Sequence, residues 1–289
     1  MTSLLFTAPF DFAPAVLSDI VRLFDYAHQK HVVESRDLPP GDFTVWVCNP
    51  KQNFVVDETV LEKYPSLTIL ITPSTGSNHV DRHACANRGI KVFSLLDDRA
   101  ALEEISASSE FTLKLLLDAF RLEPPREVQG KKVGLIGFGR IGRRMRLYLN
   151  CLGAEPFIYD PYVKPYDTIE LAEVFLSCDG VVVCCTLTPE TRGMITEDLL
   201  LSMKPSAVLV NTARGDIIDE SALITAMLAR PDLCVALDVV HGEETGTDAP
   251  GILRGLGAIV TPHIAGETYD SRTKAAKIVY NIIRNNRHE

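Results

Sequence analysis

Short apolar runs separated by longer, more polar stretches mark the first third of the chain. Leu4 to Thr7, Phe43 to Cys48, Leu67 to Thr72 and Gly89 to Phe93 read as strands, with helices expected near Ala15 to Ala27 and after Asp57. Such alternation implies a small parallel α/β layer. From Ala100 to Phe120 the pattern changes, and Ile105, Phe111, Leu113, Leu115, Leu116 and Leu117 predict one long apolar helix packed against protein. The segment Arg121 to Gly130 interrupts it, because Pro124 and Pro125 cannot continue a helix.

A second α/β series follows at Lys132 to Gly137, Glu155 to Asp160, Gly180 to Cys185, Ala207 to Asn211, Cys234 to Val239 and Ala258 to Thr261. Most are continuous runs of Val, Ile, Leu or Cys, which suits strands covered by helices on both faces. A final amphipathic helix is expected from Tyr269 to Asn285. No internal repeat or low-complexity tract is present.

At 289 residues the chain exceeds what one hydrophobic core usually serves, so two domains are expected. The formal net charge of −9 disfavours nucleic acid or an anionic membrane face as the main partner. A small anion remains compatible if a few placed cations receive it. No apolar stretch approaches the roughly 18 residues that span a bilayer. Pro9 and Pro14 interrupt an N-terminus that lacks a basic region, so it does not read as a signal peptide, and a cytoplasmic location is expected. The seven cysteines contain no C-x-x-C pair and read as reduced thiols. His28-x-x-His31 and His79-x-x-x-His83 have spacings that place two rings on one helix face, yet no cysteine or carboxylate cluster completes either pair, so no metal is expected.

Lys132 to Leu149 contains the turn Gly137-Phe-Gly139-Arg-Ile-Gly142 between a strand and an amphipathic helix. The three glycines serve different physical ends. Gly137 permits the tight turn, Gly139 lets backbone amides approach a pyrophosphate, and Gly142 allows helix and strand to pack closely. The helix N-terminus adds amides and a partial positive charge. Asp160 ends the next strand, eighteen residues after Gly142, where an acid receives ribose hydroxyls and repels a 2′-phosphate. The pattern therefore predicts NAD in preference to NADP, with Arg140 beside the pyrophosphate. The alternative for Asp160 is a turn residue before Pro161. Arg143, Arg144 and Arg146 read as a solvated helix face.

Three later strands deliver polar residues at their C-terminal ends, where a doubly wound sheet places ligands. Thr212-Ala213-Arg214 follows one, Glu243 comes after Asp238 at the end of the next, and His263 follows Thr261-Pro262. Taken singly, Arg214 reads as a surface turn, Glu243 as one acid of a polar loop and His263 as a core or capping residue. Converging on one crevice, they form a set that reduces a ketone by hydride: a guanidinium to hold a carboxylate, an imidazole to move a proton near neutral pH, and a carboxylate to orient the ring.

These segments resemble the D-isomer-specific 2-hydroxyacid dehydrogenase family. The likeness runs through Thr75 to Asp81, Val133 to Gly142 with Tyr159-Asp-Pro161, Leu187 to Arg192, Met203 to Pro205, Val210 to Gly215, Ala236 to Val239 and Thr261 to Gly266. It implies a Rossmann NAD-binding domain, residues 97–267, inserted in a smaller flavodoxin-like substrate domain made of residues 1–96 and 268–289. It also implies Arg214 as the substrate-binding arginine, His263 as the acid/base and Glu243 as its carboxylate partner. The amides of Gly76 and Ser77 would receive the substrate carboxylate, and Asp238 would contact the nicotinamide carboxamide. Further NAD contacts are implied at Arg140, Ile141, Thr186, Thr212, Ala213 and Gly266. The expected activity is NAD(H)-dependent hydride transfer to or from the second carbon of a small 2-oxo or 2-hydroxy acid, by a homodimer. Related corepressors that sense NAD(H) without catalysis give one alternative, and a formate-type dehydrogenase gives another. The chain departs from the family in a shortened segment around Pro124-Pro125 and in the loop Val239 to Thr247.

Overall fold

The computed structural model of the protein describes residues 2–163, 169–242 and 248–286. In chain order the elements are β1 (Ser3–Phe6), α1 (Pro14–Val21), β2 (Tyr26–Gln29), β3 (Val45–Val47), α2 (Glu58–Leu61), β4 (Ile69–Ile71), α3 (Arg82–Asn87), β5 (Lys91–Phe93) and α4 (Arg99–Leu102). Then come α5 (Ala107–Phe120), β6 (Lys132–Ile136), α6 (Arg140–Cys151), β7 (Glu155–Tyr159), α7 (Leu171–Ser177), β8 (Gly180–Val183), α8 (Glu197–Leu201), β9 (Val208–Asn211), α9 (Glu220–Ala229), β10 (Cys234–Leu237), α10 (Ala249–Gly255), β11 (Ile259–Val260) and α11 (Tyr269–Asn286). They form two compact units, Met1–Ile105 with Thr268–Glu289, and Ser106–Glu267. None of the described helices is long and apolar enough to cross a membrane.

The first unit holds a parallel five-stranded sheet in the order β2-β1-β3-β4-β5. Successive side chains of a strand point to opposite faces. Leu4, Phe6, Val45, Val47, Ile69 and Ile71 accordingly pack with Ile20 of α1, Leu102 of α4 and Ala276, Val279 and Ile283 of α11. Leu5, Trp46 and Leu70 feed the other core, with Val60, Leu61, Tyr64 and Cys85. Burial on both faces explains why these strands are unbroken apolar runs.

The second unit holds a parallel six-stranded sheet ordered β11-β10-β9-β8-β6-β7 among the described residues. Val133, Leu135, Val182, Val210 and Ala236 face Leu115, Leu116 and Phe120 of α5 and Met145 of α6. Ile136, Val183, Leu209 and Leu237 face a core completed by Phe175, Leu200, Leu223 and Leu253 of α7 to α10. Since β7 and β8 lie on opposite sides of β6, the chain reverses direction across the sheet there, which opens a crevice at the strands' C-terminal ends. The Gly137 turn leaves β6 at that point.

Three sequence expectations are corrected. The helix expected to reach Ala27 stops at Val21, and Tyr26–Gln29 is instead the edge strand β2, paired to β1. Its residues are exposed or half-buried, so no apolar run announced a strand that a nonlocal partner creates. The helix expected over Ala100 to Phe120 is broken between α4 and α5. Leu102 and Ile105 bury in the first unit's core, while Leu115, Leu116, Ala119 and Phe120 bury in the second unit's, so two cores pull this stretch apart. The paired histidines do not share helix faces either: His28 lies on β2, and His79 precedes α3, which carries His83.

Candidate active site

In the second unit, Gly137 adopts φ +94°, and a Cβ there would lie 2.6 Å from the backbone of Cys185, two residues past the end of β8. A Cβ at Gly142 would lie 2.2 Å from the Gly137 carbonyl oxygen, so the first turn of α6 closes directly on the turn that precedes it. Beside Gly139 a Cβ would meet nothing within 4 Å, and no side chain caps α6. This leaves room and an uncapped helix start for an anionic ligand, with Arg140 and Ile141 half-buried in that first turn. Asp160 accepts the Phe138 amide at 2.8 Å through one oxygen and the Tyr162 amide at 3.0 Å through the other. It thus ties the glycine-rich turn to the end of β7 and also serves its own turn. A carboxylate offers about four acceptor positions, so two donors leave capacity for ribose hydroxyls. Burial, with a smaller push from the Asp160 charge, raises the Cys185 thiol to about 11, so this wall of the turn stays neutral. These features fit a dinucleotide.

At the end of β9 the buried Asn211 shapes the next turn. Its side chain donates to the Arg214 carbonyl at 2.9 Å and accepts the Ala213 amide at 3.0 Å. Thr212 meets Thr112 of α5 at 2.6 Å. Arg214 is half-buried, and its guanidinium donates to the Ala213 carbonyl at 2.6 Å; no carboxylate among the described residues pairs with it. Thr186, past the end of β8, is exposed, and its carbonyl accepts the Thr191 hydroxyl at 2.8 Å.

Asp238, directly after β10, is fully buried. One oxygen accepts the Thr261 hydroxyl at 2.5 Å and the Ile264 amide at 2.9 Å, and the other accepts the Ala265 amide at 2.8 Å. All three donors belong to the turn that follows β11 and carries His263, whose residue is exposed and holds φ +51°. Gly266 is exposed at the end of that turn. The carboxamide contact implied for Asp238 meets a side chain that is wholly covered and turned toward this loop. Because β9 and β11 flank β10, the strand ends bearing Arg214 and His263 stand about 10 Å apart, the width of two strand spacings. Glu243 lies outside the described residues.

In the first unit, β4 leads into the loop that holds Gly76 and Ser77. Among the described residues neither amide has a protein acceptor, and both residues are half-buried. Thr72, Ser74 and His79 brace this loop, a role that sequence reasoning missed along with that of Asn211. The one available signal was small polar residues immediately after an apolar strand.

The match to the D-isomer specific 2-hydroxyacid dehydrogenase catalytic domain covers residues 40–100, and that to the NAD binding domain covers residues 109–265. A D-3-phosphoglycerate dehydrogenase of Mycobacterium tuberculosis is 32% identical over 253 residues, which is 79% of this chain and 47% of the relative. The chain therefore spans about half the length of that protein. An (S)-sulfolactate dehydrogenase of Chromohalobacter salexigens is 33% identical over 250 residues, covering 79% of this chain and 80% of the relative. A D-lactate dehydrogenase of Aquifex aeolicus, solved with NAD and lactic acid, shares the fold at TM-score 0.83 and 24% identity, over 98% of this chain and 94% of that one. With both domain models matched in order and relatives similar along most of its length, the chain belongs to the D-isomer specific 2-hydroxyacid dehydrogenase family.

Proposed function

We propose that the protein is an NAD(H)-dependent oxidoreductase acting at the second carbon of a small 2-oxo or D-2-hydroxy acid. The observation that carries this reading is Arg214, a half-buried guanidinium on the C-terminal edge of the sheet that no described carboxylate neutralises. A partly desolvated cation without an anionic partner is ready to receive an anion, and its planar fork suits a carboxylate or a carbonyl oxygen.

Gly137, Gly139, Gly142, Arg140, Ile141 and Asp160 would hold the dinucleotide, aided by Thr186, Thr212, Ala213 and Gly266. When bound, NADH supplies the hydride. Arg214 and the amides of Gly76 and Ser77 bind the substrate carboxylate and orient the 2-oxo group. His263 gives its proton to the substrate oxygen as the carbon is reduced and takes it back in the reverse direction. Glu243 is the proposed carboxylate partner of that ring. Asp238 holds the turn beneath His263 through its buried carboxylate.

An NADH-oxidation screen against glyoxylate, hydroxypyruvate, pyruvate, 2-oxoglutarate and branched 2-oxo acids tests the proposal. Turnover of at least one is expected; turnover of none rejects it.

A further inference from the structure

We propose that His79, Thr72 and Ser74 form a directed hydrogen-bond relay that polarises the Gly76–Ser77 peptide and so strengthens the Ser77 amide as a carboxylate donor. The inference rests on reading this loop as the carboxylate site.

The direction follows from counting protons. The Gly76 carbonyl can only accept, and Ser74 Oγ lies 2.6 Å from it, so the one hydroxyl proton of Ser74 points there. Thr72 Oγ1 lies 2.9 Å from Ser74 Oγ; with the serine proton committed, threonine must be the donor. Its own proton then spent, Thr72 Oγ1 can only accept from His79 Nε2, also at 2.9 Å. The ring therefore carries a proton on Nε2. Cys48 Sγ approaches the same nitrogen at 3.7 Å, and burial pushes that thiol up to about 12, so it stays uncharged.

A donor that is itself accepting a hydrogen bond becomes stronger, and the gain accumulates where water is excluded. Thr72 and Cys48 are fully buried and His79 nearly so. The relay ends on the carbonyl of one peptide unit, and the N–H of that unit belongs to Ser77. Resonance couples the two ends, so electron density drawn to the Gly76 oxygen makes the Ser77 N–H more acidic. The amide has no protein acceptor among the described residues, while Arg82 Nε holds the Ser77 hydroxyl at 3.0 Å. The loop's ends are fixed as well: the Leu95 amide donates to the Ser74 carbonyl at 3.1 Å and the Val56 amide to the His79 carbonyl at 2.9 Å.

The test uses the full chain saturated with NADH and titrated with oxamate, an unreactive carboxylate analogue, together with KM and kcat for the best 2-oxo acid in the screen. Ser74→Ala removes the last hydrogen bond at a half-buried position, and Thr72→Val breaks the relay at nearly constant volume. Both are expected to weaken oxamate binding and raise KM about fivefold, the size of one modest hydrogen-bond effect, with kcat and NADH affinity held within about twofold. Thr72→Ser and Ser74→Thr should restore parental values. Parental oxamate affinity in Ser74→Ala overturns the relay and leaves the carboxylate site standing. A parent protein that neither binds oxamate nor reduces any 2-oxo acid overturns both.

Discussion

The main-chain amide of His263 donates to the Asp238 carbonyl at 2.9 Å, while the Asp238 carboxylate takes the amides of the next two residues, Ile264 and Ala265. One buried acid thus binds the turn on both sides of the histidine. Positive φ is uncommon outside glycine and costs of order 1 kcal/mol, and such strain persists where the surroundings over-determine it. Here three donors to one buried carboxylate do so.

His263→Ala should lower kcat by about 10²- to 10⁴-fold, the usual contribution of a positioned acid/base, with the NADH dissociation constant nearly unchanged. Stopped-flow turnover and fluorescence titration measure the two quantities. Unaltered turnover would remove the ring from the mechanism.

Asp238→Asn turns an amide donor toward backbone donors in a dry site and should cost about 2–4 kcal/mol of stability. Turnover should fall at least about tenfold through displacement of His263, with NADH affinity held within about threefold. Chemical denaturation and cofactor titration check this. A large loss of NADH affinity at full turnover would instead put the carboxylate in contact with the nicotinamide.

Asp160→Asn removes the charge that repels a 2′-phosphate but keeps an oxygen for the Phe138 amide. The preference for NADH over NADPH should fall by about tenfold with a small change in NADH affinity, whereas Asp160→Ala should also weaken NADH. Steady-state constants for both cofactors with both variants give the comparison. Equal discrimination in all three proteins would leave Asp160 as a turn residue alone.

Asp232 accepts both arms of Arg230 at 2.8 Å and the Ser206 amide at 2.7 Å. The Arg230 hydrogen bonds, more than any other contact, hold its carboxyl well below the usual carboxylate range. A depressed folded pKa gives stability that is complete above the unfolded value of about 3.9 and fades as the pH falls below it. Asp232→Asn should lower Tm by roughly 2–4 °C at pH 7, discounted because the group is partly solvent-screened, and the gap to the parent should narrow in acid. Thermal scans at pH 7 and pH 3 read both; a gap that widens in acid contradicts the assignment.

The α/β alternation and the glycine-rich turn were legible in the chain because each is a local signal, whereas Arg214 and His263 were singled out only by their common place after strand ends and by the family resemblance. Strands buried on both faces must be apolar throughout, and Gly137 and Gly142 stand where any side chain would strike backbone atoms. The edge strand β2, the break between α4 and α5, the burial of Asp238 and the brace beneath Gly76 were decided only by tertiary structure. In each, a residue's role depends on a partner that folding brings to it: β1 beside Tyr26, two separate cores drawing Leu102 and Leu115 apart, the turn after β11 closing over Asp238, and His79 meeting Thr72 across a loop. Hydrophobic periodicity records which faces a chain buries, and carries no record of which polar atoms will meet inside.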